Sequence, residues 1–106
     1  MEENNEQGQI NKKTMEALND LRSAEDSFRL GVSFQKKGEL GKAIDHYIVA
    51  VESNSGHTKA SNNLVALLIK SGDYLYARHF LDTYKKKFYS KDWSHLNNIL
   101  IKLERA

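Results

Sequence analysis

The stretch 30–47, LGVSFQKKGELGKAIDHY, returns at 64–81 as LVALLIKSGDYLYARHFL. Leu30 pairs with Leu64, Gly38 with Gly72, Ala43 with Ala77 and Tyr47 with Leu81, all at an offset of 34 residues. On either side of the glycine, apolar residues recur three and four apart, the period of an amphipathic helix. A glycine after such a run accepts the left-handed conformation that closes a helix. Each copy therefore reads as helix–turn–helix. A small side chain at Ala43 and Ala77 lets the second helix approach the first, and Tyr47 or Leu81, one turn later, fills the groove between units. Self-similarity at this period marks a stacked helical array.

Outward from the repeat, further turn signals divide the chain. Asn54-Ser55-Gly56 ends the run Ala43, Ile44, Tyr47, Ile48, Val51. Phe88 to Ser90 separates Leu75, Ala77, Phe80, Leu81 and Tyr84 from a last helix carrying Trp93, Leu96, Ile99, Leu100 and Leu103. Upstream, Met15, Leu18 and Leu21 predict a short amphipathic helix of two or three turns. Ser23 to Asp26 resembles a new helix start, with a capping serine and an acid in the first turn. Spacing alone leaves open whether these are two helices or one. Residues 1–13 are rich in Glu, Asn and Gln and read as a polar flexible tail. The helical domain is expected over 14–106, with units at about 24–57 and 58–91 and a terminal helix at about 91–105. Short connections make these helices antiparallel neighbours. The fold class is all-α.

Composition agrees. The 106 residues include no Pro and six Gly, which removes most helix breakers. The absence of Cys excludes a disulfide framework, thiolate zinc sites and cysteine nucleophiles. No stretch approaches the roughly 18 apolar residues of a membrane helix, and the first residues lack a signal-peptide core. A net charge of +2 does not by itself imply a nucleic acid or a membrane. The expectation is a cytoplasmic helical domain with no membrane association.

The repeat resembles the tetratricopeptide family. Leu30, Gly31, Phe34, Gly38, Ala43, Tyr47 and Ala50 in the first unit, and Leu64, Gly72, Ala77 and Leu81 in the second, stand where that pattern wants them. Val65, Leu68 and Tyr84 depart from it, and Ser55 and Tyr89 replace its closing prolines. The last helix resembles the solvating helix that ends such arrays. The resemblance covers roughly 80 residues and implies a short α-solenoid that acts as a protein–protein interaction module, an adaptor or scaffold.

In that family the first helices of successive units line a concave groove for a peptide or helix of another protein. Carried over by position, the groove takes Glu25, Phe28, Arg29, Val32 and Lys36 from the first unit. It takes Lys59, Asn62, Asn63, Ala66, Ile69 and Lys70 from the second. Trp93, Leu96, Asn97 and Leu100 either contribute or seal it. Asn suits a peptide because its amide donates and accepts at once, and Arg and Lys suit carboxylates. The positions at which some relatives grip a terminal carboxylate read Glu25, Arg29, Asn63, Trp93 and Asn97 here. Only Asn63 matches, and Glu25 opposes an anion, which argues against that clamp.

Stacked units bury a core only against neighbours, and about three are normally needed. The helix at Met15, Leu18 and Leu21 could cover the first face in cis, or a second chain could cover it in trans. The alternative reading is accordingly a self-assembling structural protein, a homodimer through Met15, Leu18, Leu21 or through Trp93, Leu96, Leu100.

Other constellations carry less. Arg78, Tyr84, Lys85, Lys86, Lys87, Phe88, Tyr89 and Lys91 interleave cations and rings as nucleic-acid binders do. Lysines at a helix C-terminus equally suit the helix dipole, so no nucleic-acid partner is assigned. Gly38-Glu39-Leu40-Gly41-Lys42 lacks the spacing of a phosphate loop and follows a helix, not a strand. His46, His57, His79 and His95 form no metal-binding pair by spacing. His46 and His79 are expected to point outward from the second helices. No metal, cofactor or catalytic residue is predicted.

Overall fold

The computed structural model describes residues 2–54 and 56–106, with side chains described from Lys12 onward. Five helices follow one another: α1 (Glu2–Lys36), α2 (Leu40–Glu52), α3 (Thr58–Lys70), α4 (Tyr74–Thr83) and α5 (Ser90–Arg105). A single 3₁₀ turn, Lys85–Lys87, stands between α4 and α5. No strand occurs among the described residues. Each helix packs against the next, and α3 additionally meets α5. The fold is all-α.

The two glycine turns are the same structure built twice. Gly38 and Gly72 have φ of 79° and 82°, a region that strains any residue with a Cβ. In the first turn Glu39 donates its backbone N–H to Phe34 at 2.9 Å and Gly38 donates to Gln35 at 3.0 Å. In the second Asp73 donates to Leu68 at 2.9 Å and Gly72 donates to Ile69 at 3.0 Å. All eight of these groups lie 34 positions from their counterparts. The next helix then opens with Ala43 donating to Glu39 and Ala77 to Asp73, at 3.1 and 3.0 Å.

Inside the first unit Gly31 is where α1 meets α2. A Cβ built there would overlap the ring of Tyr47, so the glycine sits where the aromatic side chain lies. Tyr47 is fully buried. The corresponding positions of the second unit hold Val65 and Leu81, both fully buried in the same core. The departure at Val65 thus accompanies a smaller partner across the helix pair. Leu68 is likewise core. Leu96 and Leu100 of α5 close the far side.

The loops are tied from a distance. Lys87 donates from Nζ to the backbone carbonyls of Val51 and Ser53, at 2.6 and 2.9 Å. It thereby serves the open C-terminal end of α2 with a positive charge. Tyr84 donates to Glu52 at 3.1 Å. We expect Lys87→Met to cost about 1–2 kcal/mol through the orphaned carbonyls. Urea unfolding of the two proteins measures it.

Several expectations change. The segment read as a short helix followed by a new start at Ser23 is one continuous helix. No Gly or Pro lies between Gly8 and Gly31, so nothing interrupts the backbone hydrogen bonds and Ser23 is an interior residue. Because α1 is unbroken, Met15, Leu18 and Leu21 cannot fold back over the first unit, and all three are exposed. The stretch 1–13 read as a tail is helical in backbone from Glu2. Most of its side chains, like Ser55, lie outside the described residues. Finally, Leu30 is 46% exposed whereas its counterpart Leu64 is fully buried. Leu64 has α2 before it; Leu30 has no preceding helix.

Candidate functional site: the face of α1 and α3

Helix α3 has its core residues at Ala60, Ser61, Leu64, Val65, Leu67 and Leu68. The arc that remains, at helical spacing, carries Lys59, Asn62, Asn63, Ala66, Ile69 and Lys70. Lys59, Ala66 and Lys70 are exposed; Asn62, Asn63 and Ile69 are half-buried, with Ile69 packed on the core. On α1 the same treatment leaves Glu25, Phe28, Arg29, Val32 and Lys36 along one stripe. Two junctions bring the stripes together.

The first junction is polar and apolar at once. Val32, Gln35, Lys36, Tyr47 and Asn63 line one open depression of about 390 Å³. At its floor the Tyr47 hydroxyl donates to Gln35 Oε1 at 2.6 Å. That bond occupies the Gln35 carbonyl oxygen and leaves its amide group to donate elsewhere. Lys36 adds a cation, and no acidic residue lines the depression.

The second junction centres on His57. Its ring stacks on Phe28 with centroids 4.5 Å apart. Nδ1 accepts the backbone N–H of Ala60 at 3.1 Å, capping α3. Nε2 lies 3.0 Å from Glu25 Oε1. With Nδ1 accepting, the ring proton belongs on Nε2, which donates to Glu25. Glu25 also pairs with Arg29 at 3.5 Å. Its carboxyl is held below the usual range, first by the His57 hydrogen bond and then by the charges of Arg29 and Lys59, against an opposing effect of burial. The acid that seemed to oppose an anionic ligand is therefore engaged by its neighbours.

Burial raises the Tyr47 phenol above its ordinary value of 10.0, and a hydrogen bond from Asn63 offsets this in part. Below that pH folded and unfolded chains both hold the proton, so stability does not change. Above it the unfolded chain ionises first, and stability falls as pH rises. We expect urea midpoints to drop as the pH rises above 10.0, and Tyr47→Phe to flatten the drop.

The α5 residues do not reach this face as ligands. Trp93 donates from Nε1 to the Leu81 carbonyl at 2.8 Å, with Lys85 over its ring at 4.3 Å. Asn97 accepts from Arg78 at 2.7 Å. Arg78 further donates to both carboxylate oxygens of Glu104, at 3.2 and 3.0 Å, and to Asp82 at 3.2 Å. These residues seal α4 to α5. The basic aromatic run is likewise drawn inward at Arg78, Tyr84, Lys87 and Phe88, leaving Lys85, Lys86, Tyr89 and Lys91 exposed. His46, expected to point outward, is half-buried and stacks on Phe34 at 5.3 Å.

Three contributors escape a reading by spacing. Gln35 is one residue from Lys36 but belongs to the edge of the core. His57 carried a signal, since it immediately precedes α3. Arg78 stands where the first unit has Ile44, and that exchange of an apolar residue for a cation marks the α4–α5 clamp. Among the described residues no group of His, Asp and Glu is placed to hold a metal, and no helix is long and apolar enough to cross a membrane. No family model, curated protein or solved structure matches the chain.

Proposed function

We propose that the chain is a short tetratricopeptide-like α-solenoid, a non-enzymatic adaptor or scaffold of the cytoplasm. It docks an extended or helical segment of another protein against α1 and α3. The observation that carries this reading is the turn repeated bond for bond at Gly38 and Gly72, which supports two stacked units with their first helices side by side. The face between those helices suits a peptide. Gln35 and Asn63 offer amides to a backbone, Lys36, Lys59 and Lys70 offer cations to acidic side chains, and Val32, Phe28 and Ile69 offer apolar surface.

Selection from a displayed random-peptide library tests this. Peptides enriched on the native protein are expected to lose binding at least tenfold on a folded Lys36→Glu, Asn63→Ala variant, about 1.4 kcal/mol. Equal binding to both proteins would move the site off this face.

A further inference from the structure

The second unit differs from the first at a place the fold does not require. On the outer surface of α2 the positions 41, 42 and 45 are Gly, Lys and Asp, all exposed. Thirty-four residues on, at equally exposed positions of α4, they become Leu75, Tyr76 and His79. Leu75 is 85% exposed and Tyr76 52%. With Asp73 these residues line an open depression of about 320 Å³. One architecture built twice thus carries a polar surface in one copy and an apolar one in the other.

A second unpartnered apolar surface lies on the same chain. From Lys12 to Ser23 no α1 side chain is buried, because α1 continues past the end of α2 as an arm whose one side, with Asp20 and Leu21, faces Asn54 of the α2–α3 connection. Met15, Leu18 and Leu21 are each about half exposed and recur every three residues along it. Apolar side chains left half exposed along a helix gain from burial against a neighbour. The chain's own α4 patch is out of reach. The glycine turns at Gly38 and Gly72 mark one end of the helix stack, and the patch adjoins Gly72. The arm leaves from the opposite end, beside the α2–α3 connection.

Charge matches the two surfaces to each other. Lys12, three positions before Met15, and Arg22, four after Leu18, share the face of those two residues and form no ion pair with described residues, while Lys13, Glu16 and Asp20 line the side towards Asn54. The exposed charges along α4 are Asp73 and Asp82, while Arg78 is engaged by Glu104, Asp82 and Asn97. We propose that the arm of α1 in one copy docks on the α4 patch of a second copy, and that the exchange is reciprocal. Met15 and Leu18 then bury against Leu75 and Tyr76, with the arm's cations beside Asp73. Two such contacts related by a two-fold axis bring the buried area towards the roughly 1,000 Å² of a specific interface. The groove between α1 and α3 takes no part in it.

Sedimentation equilibrium of the full chain over a wide concentration range tests the exchange. Native protein is expected to approach twice 12.1 kDa at high concentration. An arm variant, Met15→Glu with Leu18→Glu, and a patch variant, Leu75→Lys with Tyr76→Lys, are each expected to stay at 12.1 kDa. Position 42 already carries lysine at the counterpart of Tyr76, and circular dichroism checks that both variants remain helical. An equal mixture of the two variants retains one arm and one patch, half of the reciprocal contact, so it is expected to form a heterodimer weaker than the native dimer at concentrations where either variant alone is monomeric. A native mass that stays at the monomer value overturns the proposal, as does dimerisation of either variant alone. A mixture that associates no more than the separate variants also overturns it.

Discussion

Tyr47→Ala is expected to lower the unfolding free energy by about 3–5 kcal/mol, a large share of the roughly 5–15 kcal/mol that holds a domain of this size folded. The side chain is fully buried, lies against Gly31 of α1, and makes a 2.6 Å hydrogen bond to Gln35. Truncation removes the ring, leaves a cavity and frees the Gln35 carbonyl oxygen in one step. Tyr47→Phe separates these effects, since it keeps the ring and should cost about 1 kcal/mol. Gly31→Ala attacks the same contact from the other helix by forcing a Cβ into the ring, at about 1–3 kcal/mol. Gly31→Ala with Tyr47→Leu should lose less than the two single changes added together, because the smaller side chain makes room for the Cβ. Urea unfolding followed by circular dichroism, with Tyr47→Leu alone included, gives all five values.

Leu100→Ala is expected to cost about 2–5 kcal/mol. Leu100 is fully buried on α5, and α5 closes the side of α3 and α4 that no later helix covers. Arg78→Ala should show a smaller loss in the same direction, since it releases Glu104 and Asn97 of α5 together with Asp82. If α5 only rested on the surface, both changes would leave unfolding of the rest untouched. Hydrogen exchange distinguishes the cases: amides of α4 and the second half of α3 should lose protection along with α5 in the Leu100→Ala protein.

Much of the fold is legible in the chain because its decisive residues act locally. Gly38 and Gly72 end helices by backbone conformation alone, and the periodic leucines and alanines around them define which faces turn inward. Ser23 misled for a related reason. A capping residue ends nothing unless the preceding residues also favour leaving the helix, and no breaker stands near it. Leu30 and Leu64 are identical by repeat position yet opposite in burial, since burial depends on which helix lies next door. The candidate face is legible as two stripes, one on α1 and one on α3. What joins them is not, because Tyr47 to Gln35, His57 to Glu25 and Arg78 to Glu104 are contacts between residues 12, 32 and 26 positions apart.

The central claim, that a partner protein docks on the face of α1 and α3, is tested most directly by site-specific photocrosslinking in cells. A photoreactive residue replaces Ala66, which is exposed on the α3 stripe, or Val49, which is exposed on the outer side of α2. A discrete crosslinked partner is expected from position 66, lost when Lys36→Glu and Asn63→Ala are added, and none from position 49. Crosslinking from position 49 with none from position 66 would contradict that claim.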